Sequence, residues 1–326
     1  MIKFFKFIFK LIFTLIGIVV FVPVLLWGGA NYAKFWIYND YYKIESNVCV
    51  NPGLDDGFVC QGICAAEDAG KILVCGYMDD KTNSRVYVVD IETNEYYHVK
   101  LTRKGGELYS GHAGGMATSG DTVYIANASK LFVFSLTSLL NAKDGDFVDI
   151  GAGVPVNNAA SYVYCDEDYI YVGEFHHTKD GYDKAHTLDD GETVVNAIVS
   201  RYTHDAIQSH SGDEAAVPDR IYTVREKVQG ICFTPDGEIV LSTSYSIAHS
   251  YYYVYNTADC TDSGKTFGGV PVFELGKCIK EIKAPAMSED LDYYNGKVIT
   301  VYESASNKYG FGKLFFANDV NAIDIK

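Results

Sequence analysis

Gln61-Gly62-Ile63-Cys64 is followed by a polar turn and an apolar run to Tyr77, and Gln229-Gly230-Ile231-Cys232 by another to Tyr245. The same phrase at the head of two β units marks an internal repeat, and looser copies recur roughly every 45 to 60 residues. A unit of that size cannot bury its own faces, so the copies must stack as a solenoid or close as a propeller.

Working outward from the phrase, almost no helical periodicity remains beyond residue 40. Short, tyrosine-rich alternating runs dominate, separated by turn chemistry. The first unit reads as strands at 62–66, 72–77, 85–91 and 96–101, the composition of a four-stranded blade. The second uses 114–118, 122–126, 130–136 and 147–150, with a helical turn after 136. The third uses 161–165, 169–175, 197–203 and 220–224, interrupted by polar insertions at 177–193 and 204–217. The fourth uses 230–234, 238–242, 251–255 and 278–282. The fifth has 290–294, 298–302 and 320–325 but no fourth strand, and the alternation at 42–50 can supply it. Such a borrowed strand removes the open edges that invite aggregation. The expected fold is an all-β propeller of five four-stranded blades, with six as the alternative. A β-sandwich would not repeat one phrase at one strand.

The first thirty residues differ from all that follows. Lys3, Lys6 and Lys10 precede a charge-free run from 11 to 30, and about 20 apolar residues suffice to cross a bilayer core as a helix. Lysines on that side keep the N-terminus cytoplasmic, and Trp27, Tyr32, Phe35 and Trp36 suit the outer interface. A removed signal peptide is the alternative, given the small residues Gly28-Gly29-Ala30. The expected organisation is a membrane anchor over 1–36, a linker and ring-closing strand over 37–56, and the propeller over 57–326. The net charge of −15 disfavours nucleic acid and anionic lipid as partners of the exported part.

Among eight cysteines, Cys64, Cys75, Cys165 and Cys232 fall inside apolar strands and read as small hydrophobes. Cys49 with Cys60, and Cys260 with Cys278, flank excursions that a disulfide could close. No Cys-x-x-Cys pair suggests a zinc ribbon or a thioredoxin-like site.

In a propeller, the loops leading into the inner strands and those leaving the second strands share one face. Marking them gathers Gln61, His112, Gln229, Glu289 and Asp290 with Tyr77, Asp79, Glu174, His176, His177, Tyr245, Glu303 and Ser304. The candidate axial pocket is Gln61, Tyr77, His112, Glu174, His176, Gln229, Tyr245, Glu289 and Glu303. For Gln61 and Gln229, repetition favours a structural amide that bridges neighbouring blades. His112, Glu174 and His176 are candidate ligands for a divalent metal ion, since Glu174 and His176 share one side of a strand. No calcium loop occurs. Paired carboxylates such as Glu174 and Glu303 would suit acid/base hydrolysis. The insertion at 178–193 reads as a mobile cover, with little to bury.

The chain resembles a family of uncharacterised bacterial exported β-propellers. The resemblance lies in Gly111-His112-Ala113-Gly114-Gly115-Met116-Ala117, Tyr169-Ile170-Tyr171-Val172-Gly173-Glu174-Phe175 and Val228-Gln229-Gly230-Ile231-Cys232-Phe233-Thr234-Pro235-Asp236-Gly237. It continues in Met287-Ser288-Glu289-Asp290-Leu291 and Glu303-Ser304-Ala305-Ser306-Asn307-Lys308-Tyr309. A looser, blade-level likeness reaches NHL-type and lactonase-type propellers. The resemblance implies fold and export and no particular reaction. The leading expectation is a single-pass bacterial membrane protein, propeller outside, binding a small polar or cationic ligand at the axis. A metal-assisted hydrolase at the same pocket, a protein-binding scaffold, and a secreted form are the alternatives.

Overall fold

The structure is a computed structural model that describes residues 2–179, 185–309 and 317–326. It is a five-bladed propeller. The innermost strands Phe58–Ala66, Gly115–Ser119, Tyr162–Cys165, Val228–Phe233 and Ser288–Tyr294 touch one another in succession around a closed ring. In the last blade, Ser288–Tyr294, Lys297–Tyr302 and Asp319–Ile323 are completed at the outer edge by Glu45–Val50, which pairs antiparallel with Asp319–Ile323. The segment expected to close the ring therefore does so.

The repeated phrase has a local physical meaning. In the first blade, pairing of the inner strand slips between Cys60 and Gly62, and in the fourth between Val228 and Gly230. The unpaired residue is the glutamine, and a bulge of this kind bends the strand and re-aims that side chain. In the fifth blade the slip between Ser288 and Leu291 contains Glu289 and Asp290. Gln61, Gln229 and Glu289 thus occupy the same place in three blades. The glycines that follow serve close approach. A Cβ on Gly62 would lie 2.7 Å from the backbone of Gly115 and Met116, and one on Gly230 2.7 Å from Asp290 Cα.

Three expectations need correction. The fourth strand of the second blade is Val154–Pro155, antiparallel to Lys130–Ser135. Residues 147–149 instead run parallel to Tyr96–Arg103, on the outer edge of the first blade. The glycine-rich excursion between Cys260 and Cys278 is a hairpin, Thr261–Phe267 and Val270–Glu274, turned through Gly268 and Gly269 at positive φ. It leaves the fourth blade and adds to the third, parallel to Arg220–Val224. All eight cysteines are free thiols; Cys60 is buried and accepts from Asn51 Nδ2 at 3.3 Å, and Cys278 Sγ bonds the Lys280 carbonyl.

The N-terminal helix Ile2–Ile37 is long and apolar enough to cross a membrane, with mean hydropathy 2.7 and no burial in its apolar stretch. It suits an anchor or a signal sequence. Hydrogen bonds from Tyr38 N to Lys34 O (2.9 Å) and Tyr42 N to Tyr38 O (3.0 Å) carry it into a second helix, Asn39–Ile44. That helix docks between the fourth and fifth blades, with Tyr41 fully buried against Tyr252 and Tyr302.

Candidate functional site at the propeller axis

At the upper face, where loops enter the inner strands, Gln61 Nε2 donates to Glu303 Oε2 at 2.9 Å and to its neighbour's carbonyl, Cys60 O, at 2.9 Å. Glu289, from the equivalent bulge of the fifth blade, lies beside Glu303, and the two carboxyls interact electrostatically. Burial, then the charge of Glu303, then that of Asp290 hold the Glu289 carboxyl well above the usual carboxylate range. Glu303 is raised chiefly by burial, opposed by hydrogen bonds from Tyr309 and Gln61 and by the Lys308 charge. Two like carboxyls in one dry site cannot both ionise cheaply. Glu289 Oε1 is buried with no donor among the described residues.

Above the pair, Tyr309 Oη lies 3.3 Å from Tyr77 Oη, Lys308 Nζ sits 4.5 Å from the Tyr77 ring centroid, and His112 meets that ring edge-on at 4.7 Å. Gln61, Tyr77, His112, Glu289 and Glu303 are thus brought together. Lys308 and Tyr309 complete the group and lie outside the set expected from sequence. Their place in the phrase beginning at Glu303 is the available signal.

The remaining candidates gather elsewhere on that face. His177 stacks on Tyr245 at 4.1 Å, the His176 carbonyl accepts from Lys227 N at 2.8 Å, and Gln229 Nε2 reaches Ser244 Oγ at 3.4 Å. Glu174 turns outward. It meets His186 Nε2 at 2.5 Å and accepts from the Ile198 and Ala159 amides at 3.0 and 3.4 Å. Its carboxylate therefore fastens the third blade's insertion, and the carboxyl neighbour of Glu303 is Glu289. The described part of that insertion is held further by Asp189, which accepts from Thr266 Oγ1, Gly268 N and Gly269 N. The expected cover is thus tied to the blade-4 hairpin, and residues 180–184 of it lie outside the described residues. Among the described residues, no three of His, Cys, Asp and Glu are arranged to hold a metal ion. The expected set of His112, Glu174 and His176 does not form one.

Acids continue down the axis. Asp290 reaches across from the fifth blade, and its Oδ2 accepts from Met116 N of the second at 3.0 Å. Asp292 holds the Ala65 amide of the first blade at 2.8 Å, and burial pushes its carboxyl up to about 7. It lies at the floor of a cavity of about 750 Å³ on the lower face, where each blade contributes its inner turn. The acids of that lining are Glu67, Asp68, Asp166, Glu167 and Asp292; among the described residues no lysine or arginine lines it. The sequence pattern places all candidate chemistry at the other end. The turn acids are visible in it but look like ordinary solvated loops.

No family model matches this sequence, and no curated protein does. Solved structures that share its arrangement include the PQQ-bound form of an aldose sugar dehydrogenase from Streptomyces coelicolor. It is 15% identical, with a TM-score of 0.41, covering 79% of this chain and 77% of that one. A putative oxidoreductase (glucose dehydrogenase) from Thermus thermophilus is 13% identical, TM-score 0.41, over 79% and 78%. A protein of unknown function from Bacteroides thetaiotaomicron is 13% identical, TM-score 0.40, over 86% and 75%. Similarity this distant carries no ligand or reaction across.

Proposed function

We propose that the protein is a membrane-anchored, extracellular binding propeller whose upper axial site takes a small cationic ligand, with an amine as the recognised group. One observation carries this reading: two buried carboxyls, Glu289 and Glu303, stand together while Glu289 Oε1 has no donor among the described residues. A buried acceptor without a partner is costly, and a bound ammonium would supply both donors and charge. Gln61 and Tyr309 fix Glu303, and Tyr77 and His112 offer ring faces and edges to the ligand's carbon skeleton.

The test is calorimetry on the full-length protein in detergent, titrated with 1,4-diaminobutane and with glycerol as the neutral control. Binding of the diamine alone supports the reading. Replacing one charged acceptor by its amide should weaken binding by about 10-fold or more, so Glu289→Gln and Glu303→Gln are the informative variants. Diamine affinity unchanged in both would end the proposal for this site. A second reading places the cation in the acid-lined lower cavity. There, Glu67→Gln with Glu167→Gln would abolish binding while Glu289→Gln would not.

A further inference from the structure

We infer that the upper face of the propeller lies against the headgroup layer of the bilayer, so that the axial carboxyl pair opens toward the membrane and the acid-lined cavity away from it. The joint between helix and propeller carries the argument. Tyr38 Oη bonds His249 Nδ1 at 2.9 Å, and His249 lies in the upper loop between Glu238–Thr243 and Ser250–Asn256. Lys283, at the upper end of the strand Lys280–Ala284, places its ammonium 5.9 Å from the Tyr38 ring centroid. From there the short helix descends the flank, until Ile44 O accepts from Asp324 N just past the lower end of Asp319–Ile323. The long helix therefore joins the short one at the upper rim, with its last turn beside the outer edge of the fifth blade, where Lys34 interacts electrostatically with Glu45 and Asp319. The rings of Phe35 and Tyr42 lie 4.6 Å apart across the join, so the two helices are held together and are not strung on a slack tether.

The reach between the apolar span and that joint is short. Eight residues separate Ala30, the end of the charge-free run, from Tyr38, about 12 Å at a helical rise of about 1.5 Å per residue. The headgroup zone on one side of a bilayer is itself about 5–8 Å thick. The inner turns of the lower face carry Glu67, Asp68, Asp121, Asp166, Glu167, Asp168 and Asp236, and Asp236 pairs with Lys326 at 2.7 Å. The upper side mixes Lys227, Lys283 and Lys308 with Asp55, Asp56, Asp79, Asp80 and Glu226. Turned this way, the acid-lined lower cavity is kept from lipid phosphates. Ile247, 69% exposed in the same loop as His249, adds an apolar contact at that level. If the amine-binding reading holds, its ligand arrives along the membrane surface.

The chain has two tryptophans, Trp27 and Trp36. In a Trp27→Phe, Trp36→Phe background, single reporters Ile247→Trp and Ile279→Trp mark the upper loop and the lower end of the fourth blade. The full-length protein goes into nanodiscs containing lipid with a spin label on the headgroup, without any amine. Quenching of the upper reporter several-fold beyond that of the lower supports the inference. Equal or reversed quenching overturns it, as does a mature chain that begins beyond residue 30. Thermal unfolding of each variant checks that the propeller is intact. Because no amine is present, the outcome does not depend on what the axial site binds.

Discussion

Gln61 donates to Glu303 across 242 residues of sequence, joining the bulge of the first blade to the exit of the last blade's second strand at 2.9 Å. The other repeat glutamine, Gln229, among the described residues reaches Ser244 within its own blade at 3.4 Å. Copies of one phrase therefore do different work. Gln61→Ala removes a donor from a carboxyl that stays buried, and should cost about 1–3 kcal/mol. Gln229→Ala should cost less than about 1 kcal/mol. Urea denaturation of the two variants measures the difference, and equal costs would contradict this division.

Stability should fall as pH rises from about 5 to about 8. Glu289, Asp290 and Glu303 have folded-state values raised by burial, and Asp292 is raised to about 7. A raised acid binds its proton more tightly folded than unfolded. Its contribution is complete below the unfolded value, near about 4, and is lost as pH passes the folded one. Glu289→Gln should unfold at a higher temperature than the parent at about pH 8 and close to it at about pH 5. Thermal melts across that range decide the point, and a parallel offset at both pH values would refute it.

Gly230→Ala should destabilise by about 1–3 kcal/mol, because its Cβ would meet the Asp290 backbone at 2.7 Å and neither strand can retreat from a closed ring. Gly28→Ala, with nothing within 4 Å, is the control and should leave the propeller's melting unchanged.

Tyr41→Ala should cost about 3–5 kcal/mol, the range for removing a fully buried aromatic side chain. It should also loosen the hold of the short helix on the fourth and fifth blades. Hydrogen exchange in Asn39–Ile44 would rise well above that of the parent, whereas unchanged protection would show that the dock does not depend on this ring.

Much of this architecture is legible because bulge, glycine and apolar strand recur in one order. Gln61-Gly62 and Gln229-Gly230 announce both a repeat and a close approach, and the strand at the N-terminal end is needed because the last blade is one short. The pairings that elude sequence reading are those in which an edge takes a strand from a neighbour. Residues 147–149 have an alternation that fits either of two edges, and only three-dimensional proximity selects the first blade. The hairpin Thr261–Glu274 is disguised by its glycines, which it needs for its turn. At the site, Glu289 and Glu303 are identifiable as neighbours on one face. Glu174 shares that face by topology, but its side chain turns to His186, and strand alternation does not specify that choice.

Glu45–Val50 and Asp319–Ile323, the earliest and latest strands of the toroid to leave the ribosome, are hydrogen-bonded partners. Ring closure must therefore wait until residue 323 has been made, however early the other blades form. A translation product halted before residue 319 would hold four assembled blades beside an unfinished one. Such a chain should be an avid client for quality-control proteases.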